Sequence, residues 1–469
     1  MELWTHWCNA IVQLRPAFSR ERSFLWFVLC VAGLCVRTDN LGVTSIVRGL
    51  SLDGARHYHS LLRCCHSPAV KLGVLAPLWA RTVLRLFGDR IERVNGRPVV
   101  LVDGKKSAKQ GRKMPAVKCL HQESDSNTKP EYIMGHSCQS ASILARADET
   151  LFAVPLDIKI HEGLVFSNRD KRTLLDKMIT LVTGLQLEES CYVVGDRYYA
   201  NGKMIKGLLH QGHHLVTRVK SNASANHLPP ERPAKPGRGR PRKYGDAVKL
   251  ASLYRSSLPV ERIKSPFQGE KNVRISVRTI DLMWEPAGRV VRFVLTDHPS
   301  RGRTMLLSTD LTLHASDIIR LYGLRFKIEL AYKQAAHVVG SFAYHFWMKD
   351  MKPLKRRNGN QYLHRMSEKY RRSIRRKLHA YHVFMFMGVV SQGLMQYLSA
   401  CSNELVWTSF GSWLRTIRKG VAPTEMVVKM SLSNTLDEFL SVCPHDRKIA
   451  KFIVDRQSRG PEPFLTKAA

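Results

Sequence analysis

The chain is short of acidic residues and has no cysteine pair of the C-x-x-C type. Its 469 residues include 38 Asp and Glu against 74 Lys and Arg, which is a formal net charge of +36. The ten cysteines form neither a zinc-ligand pattern nor a disulfide framework, as expected of a protein in a reducing cytoplasm. We therefore predict a cytoplasmic protein whose cysteines are not structural cross-links.

The one run that superficially resembles a signal peptide is too short to cross a membrane. This run, Phe24–Val36, has thirteen residues, whereas a spanning helix needs about 20. Arg37, Thr38 and Asp39 follow it instead of a small-residue cleavage site. We interpret the run as a core helix of an N-terminal domain and expect no membrane partner.

The excess of positive charge calls for a polyanionic partner. Membrane surfaces, ribosomal RNA and DNA are the polyanions that would account for it. The chain is too long for an ordinary ribosomal protein and long enough for two to four domains. With 44% hydrophobic residues it can bury real cores, so it is not a disordered basic tail.

Two aspartates each follow an apolar, β-branched run. Asp103 follows Arg97–Val102 and Asp196 follows Ser190–Gly195, so each run is predicted to be a short buried strand that ends in a carboxylate. A single strand-end aspartate commonly forms a turn or caps a helix. Two of them, together with an acid from a helix, would supply the oxygen ligands for two divalent ions.

Tyr322, Arg325 and Glu329 are spaced three and four residues apart, which places them on one face of a single predicted helix. The same spacing fits a solvated face with an ordinary salt bridge. The two upstream aspartates favour a different interpretation, in which Glu329 completes a metal site.

These motifs resemble those of the DDE transposases of bacterial insertion sequences, in the subgroup with the pattern Tyr-x2-Arg-x3-Glu-x6-Lys. Gly195–Gly202, His214–Val219 and Leu307–Leu311 are also similar to segments of that family. The resemblance covers roughly residues 40–455. One position departs from it, because Ala336 stands where the pattern has Lys. Lys333 lies on the same helical face, so we expect it to contact the same phosphates.

The resemblance implies an α/β fold, with an RNase H-like catalytic core interrupted by a strand-rich insertion and flanked by helical N- and C-terminal regions. It implies that Asp103, Asp196 and Glu329 hold two Mg²⁺ ions, with Mn²⁺ as a possible substitute. It also implies that Tyr322 and Arg325 position double-stranded DNA, both the terminal inverted repeats and the target. Joining two DNA ends implies at least a dimer in the DNA complex.

Three alternatives remain open. An RNase H-like nuclease or resolvase would cleave without joining. A DNA-binding protein without chemistry would need only the basic surfaces, and its acids would be structural. A decayed element would leave a protein that folds and binds but turns over poorly.

Composition changes along the chain predict its organisation. The Pro- and Gly-rich stretch 229–241 begins an interruption between Asp196 and Glu329, and β-branched runs follow it. We expect a helical, DNA-end-binding region over 1–95, the first part of the core over 96–220 and a basic linker with a strand-rich insertion over 221–308. The core helix with Glu329 follows over 309–345, and a basic segment with a helical region over 346–469.

Two basic segments are candidate DNA contacts. Arg238, Arg240 and Arg242 lie in a Gly-Arg-Gly-Arg-Pro-Arg run that resembles an AT-hook, although we favour a linker that touches phosphates without sequence preference, because short basic motifs arise easily. Residues 352–377 carry eleven Lys and Arg against one acid, which predicts a surface that follows the DNA backbone. Its candidate contacts are Arg371, Arg372, Arg375 and Arg376.

Overall fold

The computed structural model describes residues 2–122, 130–230, 242–267, 269–411, 421–442 and 447–458. Its helices are α1 (Glu2–Ile11), α2 (Glu21–Val36), α3 (Gly42–Gly49), α4 (Gly54–Cys65), α5 (Leu72–Phe87), α6 (Leu174–Thr183), α7 (Gly202–His210), α8 (Ala315–Leu324), α9 (Phe326–Gln334), α10 (Glu368–Cys401), α11 (Asn403–Phe410), α12 (Glu425–Asn434), α13 (Leu436–Val442) and α14 (Arg447–Val454). A π-helical turn, Ala335–Val339, continues α9.

The strands are β1 (Arg93–Val94), β2 (Arg97–Ala108), β3 (Lys118–His121), β4 (Tyr132–Ala147), β5 (Thr150–Ile160), β6 (Leu164–Val165), β7 (Tyr192–Gly195), β8 (His214–Arg218), β9 (Ser224–Asn226), β10 (Ala247–Lys249), β11 (Glu261–Lys264), β12 (Arg274–Trp284), β13 (Arg289–His298), β14 (Gly302–Ser308) and β15 (Gln361–Tyr362).

One large mixed sheet organises the described residues. Its central order is β10-β9-β12-β13-β14-β8-β7-β2-β4-β3, with β1 beside β2, β5 beside β4 and β11 beside β12. The pairs β2–β7 and β7–β8 are parallel, whereas the other pairs in this sheet are antiparallel. The predicted α/β class with helical terminal regions is confirmed. The RNase H-like assignment of the core and the domain boundaries stay predictions.

The strands of the predicted insertion extend this sheet. β12 and β13 form a hairpin, as the two β-branched runs predicted, and Gly288 takes a left-handed φ of +69° in its turn. β14 then pairs antiparallel with β13 on one side and with β8 on the other. The chain therefore returns from the insertion beside the core strands, and α8 follows directly.

Alternating side chains of β2 and β7 pack on opposite faces of the sheet. Val100 and Val102 belong to the large core that the terminal helices cover, whereas Val99 and Leu101 pack with residues of α8 and α9. Side chains two residues apart on a strand point to the same face. Asp103 therefore lies on the face covered by α8 and α9.

The terminal regions supply a helical layer on the other face. α2 is buried along most of its length, as predicted for the apolar run Phe24–Val36. α10 is long and apolar enough to cross a membrane by length and composition, but 94% of its apolar window is buried inside the protein. We therefore describe α10 as a core helix, and its basic first turns lie at its exposed N-terminal end.

Two predictions of local structure are wrong in detail. Asp103 does not end its strand, because β2 continues to Ala108 through pairing with β4. The residues Tyr322–Lys333 do not form one uninterrupted helix, because α8 ends at Leu324 and α9 begins at Phe326. At the break the Arg325 N–H bonds to the Tyr322 carbonyl at 3.2 Å, which is a tighter turn than an α-helix makes.

Candidate active site

Asp103, within β2, and Asp196, one residue past the end of β7, lie at the same level of two neighbouring parallel strands. The register pairs Leu101 with Val194, so each aspartate follows its half of this pair by two residues and points to the same face. Both aspartates line a cleft of roughly 490 Å³. The strand-end pattern therefore identified two residues that the fold brings together.

Asp103 is in a poorly solvated position, with its side chain 17% exposed. Burial raises the pKa of its carboxyl to about 6, although the Gly104 N–H and the Arg325 guanidinium lower it. The charges of Asp196 and Glu329 also raise this pKa. The Asp103 carboxyl is therefore within electrostatic reach of both other acids.

Asp196 begins a 3-10 turn as β7 ends. Its side chain accepts a hydrogen bond from the Tyr198 N–H at 3.0 Å, and its carbonyl accepts one from the Thr217 hydroxyl at 2.7 Å. Tyr199 is buried under this turn, and a Cβ at Gly195 would lie 2.7 Å from the Tyr199 ring. Asp196 therefore caps this turn and also lines the cleft with Asp103.

Arg325 joins the third acid to the first. Its Nη2 lies 2.5 Å from Glu329 Oε1 and its Nη1 lies 3.6 Å from Asp103 Oδ2. The predicted common face of Arg325 and Glu329 thus persists across the helix break. The Glu329 side chain is 53% exposed, so it is the most solvated of these three side chains.

Tyr332 also fixes the helix that carries Glu329, and sequence reasoning missed it. Its hydroxyl lies 3.0 Å from the carbonyl oxygen of Asp103 and 2.7 Å from Ser140 Oγ. From α10, the Gln392 side-chain amide donates to the Ala331 carbonyl at 3.0 Å. A tyrosine on the apolar side of a helix looks like an ordinary core residue, so its spacing carried no signal.

A family model described as DDE superfamily endonuclease matches residues 13–272, which is more than half of the chain. The chain belongs to this family. The match includes Asp103 and Asp196 and ends before Glu329. No curated protein matches the chain. Membership implies a nucleic-acid-cleaving enzyme with a DNA substrate.

The endonuclease offers carboxylates to metal ions, although they are not arranged as ligands here. Within the described ranges, no group of three or more His, Cys, Asp or Glu is placed to hold a metal ion. Arg325 lies against two of the three carboxylates instead. The donor chemistry fits Mg²⁺, which prefers carboxylate oxygens, and a cation would offset both the burial and the weaker repulsion from Asp196 and Glu329 that raise the pKa of Asp103.

Tyr322 and Arg325 line a second cavity, of roughly 340 Å³, beside the acids. Arg218 and Arg301 also line it, together with the aromatic rings of Phe267 and Phe326, and among the described residues no Asp or Glu lines it. Burial raises the pKa of the Tyr322 hydroxyl, whereas the charge of Arg325 lowers it. This cavity of the endonuclease is suited to an anion with a flat apolar part.

Lys333 lies on an exposed part of α9, and Lys327 is half-buried with its Nζ 5.2 Å from the centre of the Phe326 ring. Ala336, in place of the Lys of the resembling pattern, lies in the π-helical turn. A π turn changes the angular position of the residues that follow it. The regular α-helical face of α9 therefore ends at Gln334, whereas the sequence pattern assumes that it extends to residue 336.

The predicted basic contacts of the endonuclease fall into two groups. Arg371, Arg372, Arg375 and Arg376 lie on the first turns of α10, and all except half-buried Arg371 are exposed. Glu368 pairs with two of them, at 3.5 Å from Arg371 and 2.7 Å from Arg375. Arg242 is exposed and lies 3.8 Å from Asp246. Arg238 and Arg240 lie outside the described residues.

Proposed function

We propose that this endonuclease is a DDE transposase of a bacterial insertion sequence. It would cleave DNA at the ends of its element and transfer the resulting 3′ hydroxyl into target DNA. The observation that carries the proposal is the assembly of the acids. Asp103 and Asp196 each follow a residue of the Leu101–Val194 pair by two positions, and Arg325 pairs with both Asp103 and Glu329.

Asp103, Asp196 and Glu329 are the residues that would hold two Mg²⁺ ions, or Mn²⁺ in their place. When bound, such ions supply a polarised phosphate and an activated oxygen nucleophile. Tyr332 holds α9 against β2 and Gln392 holds it against α10, so Glu329 would keep its position when a charged ligand binds. Asp103 is poorly solvated and would bind a cation more strongly than an exposed carboxylate would.

Tyr322 and Arg325 would position the DNA end at the acids. The Arg325 guanidinium can donate two hydrogen bonds to one phosphate, and Tyr322 offers a hydroxyl or a ring face. Lys333 would contact the same strand from the next turn of α9. Further from the site, the DNA backbone would be followed by the exposed arginines of α10 and by the Arg238–Arg242 segment. The net charge of +36 for the whole chain favours such phosphate contacts.

We place this enzyme in the bacterial cytoplasm, at the nucleoid, where its DNA substrates are. Joining two ends at one target requires two catalytic sites in one complex, so we propose a dimer on DNA. The RNase H-like description of the core belongs to the same proposal. It is supported by the mixed sheet, in which the parallel pair β2–β7 carries two acids.

The test is a cleavage and strand-transfer assay on DNA that carries the inverted repeats flanking the gene. We expect Asp103→Asn, Asp196→Asn and Glu329→Gln each to abolish both reactions in Mg²⁺ and to leave DNA binding intact. The matched control is Asp170→Asn, which removes an exposed carboxylate 2.8 Å from Arg172 that is not among the lining residues of the Asp103–Asp196 cleft.

Each alternative function has its own result in this assay. Cleavage without joined product would show a nuclease or resolvase. Binding without cleavage by the unmodified protein would show a decayed or purely DNA-binding protein. If all three variants cleaved at the unmodified rate, the proposed site would be wrong.

A further inference from the structure

We infer that Arg325 occupies the cation position of the site until a DNA phosphate removes it, so that metal loading depends on DNA. This inference rests on the proposed function and adds a form of regulation to it. A metal site that fills only on substrate would keep a nuclease inactive while it is free in solution.

The first observation is the double contact of one guanidinium with two acids. Arg325 places Nη2 at 2.5 Å from Glu329 and Nη1 at 3.6 Å from Asp103, with 20% of its side chain exposed. A guanidinium is a fixed positive charge with donors on several nitrogens. It therefore neutralises the same two carboxylates that a divalent ion would use, and the ion has to compete with it.

The second observation is the position of Arg325 in the chain, which places its side chain next to Glu329. Arg325 lies at the break between α8 and α9, and Glu329 is four residues later in the first turn of α9. Spacing of four residues on a helix holds an ion pair together. The pair is therefore formed without any ligand and is the resting arrangement of the site.

The third observation is an alternative place for the guanidinium. Arg325 also lines the neighbouring cavity, together with Arg218, Tyr322 and Arg301. Arg301 is balanced by Glu270 at 2.8 Å, outside the cavity lining. A phosphate bound there would form two charge-assisted hydrogen bonds with Arg325. Arg325 would then leave Asp103 and Glu329 to the metal ions.

Binding of DNA and metal would therefore be coupled, and thermodynamic coupling is reciprocal. The unmodified protein should bind Mn²⁺ about tenfold more tightly with DNA than without it, within the usual range of such couplings. An Arg325→Ala protein should bind Mn²⁺ about tenfold more tightly than the unmodified protein when DNA is absent. DNA should add little further Mn²⁺ affinity to that variant.

The experiment measures Mn²⁺ binding by the electron paramagnetic resonance signal of free Mn²⁺, so it needs no catalytic turnover. The full chain is titrated alone and with a duplex that ends at an already cleaved terminal repeat. Arg325→Gln is titrated beside Arg325→Ala, because it keeps the side-chain volume without the charge. Arg303→Ala is the matched control, since it breaks an exposed pair with Asp297 at 3.0 Å and Arg303 is among the lining residues of neither cavity.

The inference is overturned if the unmodified protein without DNA binds Mn²⁺ as tightly as both Arg325 variants. It is also overturned if Arg303→Ala raises the affinity as much as they do. A different result would contradict the proposed function instead, namely no Mn²⁺ bound by the unmodified protein or the Arg325 variants, with or without DNA. Loss of Mn²⁺ binding in Arg325→Ala carrying Asp103→Asn would confirm that the measured ion is at this site.

Discussion

Tyr332, three residues after Glu329, donates its hydroxyl hydrogen to the backbone carbonyl of Asp103 or to Ser140, at 3.0 Å and 2.7 Å. The helix that carries Glu329 is therefore hydrogen-bonded to the strand that carries Asp103. The residue that links them, Tyr332, has no proposed catalytic role. This contact lies on the buried side of α9, whereas the Arg325–Glu329 pair lies on its more solvated side. Because residues three apart on a helix are neighbours, the two contacts together hold one edge of α9.

We predict that Tyr332→Phe lowers cleavage more than it lowers stability. Loss of the hydroxyl should cost about 0.5–1.5 kcal/mol of unfolding free energy and, by loosening α9 against β2, reduce the cleavage rate about tenfold. DNA affinity should not change. The control is Tyr381→Phe, which removes a buried bond to the Phe346 carbonyl at 2.7 Å. If both variants lost the same amount of activity at equal stability, Tyr332 would have no positioning role.

We predict that Asp310 stabilises the ends of β2 and β7 opposite to the acids. Its carboxylate lies 2.6 Å from Arg97 and 2.7 Å from the Tyr192 hydroxyl, at the first residues of these strands. Burial by itself would raise the pKa of the Asp310 carboxyl, but hydrogen bonds from Tyr192 and Thr312 lower this pKa to about 2. Asp310→Asn should lower the free energy of unfolding by about 1.5–3 kcal/mol near neutral pH, which is the range for hydrogen bonds to a charged group.

The lowered pKa of Asp310 also sets a pH dependence. A carboxyl whose pKa is lower in the folded state stabilises the protein above its unfolded pKa of about 3.9. That stability is lost as pH falls from there through about 2. Urea unfolding across this range should therefore show a difference between unmodified protein and Asp310→Asn that shrinks towards low pH. A difference that stayed constant would mean that the charge of Asp310 is not the cause.

We predict that Arg37 stabilises the end of the π-helical turn Ala335–Val339, which continues the helix of Glu329. Arg37 is fully buried, and its Nη2 donates to the carbonyls of Val339 and Gly340 at 2.6 Å and 3.0 Å. Lys429 donates to the Val338 carbonyl at 2.7 Å. Cations at the C-terminal end of a helix satisfy its unpaired carbonyls, so the N- and C-terminal regions both fix this end.

Arg37→Met should therefore lower the unfolding free energy by more than about 2 kcal/mol, since it leaves buried carbonyls without donors. Asn40→Ala is a graded comparison, because Asn40 donates to the His337 carbonyl at 3.2 Å from a more exposed position. It should cost less than about 1.5 kcal/mol. Chemical denaturation measures both, and equal losses would contradict the importance of the buried charge.

We predict that the α10 arginines contact DNA phosphates without reading sequence. Arg372→Ala with Arg376→Ala should weaken binding to all duplexes alike. The slope of log affinity against log salt should become shallower by about 2, or about 0.9 for each lost phosphate contact. Lys448→Ala is the control, because Lys448 is 82% exposed and pairs with Glu21 on the terminal helices. An unchanged slope in the double variant would exclude this surface from the DNA path.

We predict that Lys333→Ala weakens end binding or cleavage more than Lys327→Ala does. Lys333 is exposed, whereas Lys327 is half-buried against Phe326. Cleavage of the repeat-bearing duplex at several DNA concentrations separates affinity from rate. Equal effects of the two variants would show that Lys333 does not take over from the Lys that Ala336 replaces.

Much of the candidate site was visible in local patterns. The apolar runs before Asp103 and Asp196 predicted two strands, because short runs of β-branched residues favour strands that are buried on both faces. Spacing alone put Arg325 and Glu329 together, and their contact at 2.5 Å confirms it. The break at Arg325 and the extension of β2 past Asp103 were not predictable, since each depends on pairing or packing with residues far along the chain.

Composition and spacing were enough to identify the α/β class, the need for a polyanionic partner and three candidate acids. They could not show that the two aspartates are level, because register is a relation between strands about 90 residues apart along the chain. They also could not show that Tyr332 binds the backbone of Asp103, or that Arg37 and Lys429 bind the end of the Glu329 segment. Those contacts join distant parts of the chain, and only the packed fold brings their donors and acceptors within hydrogen-bonding distance.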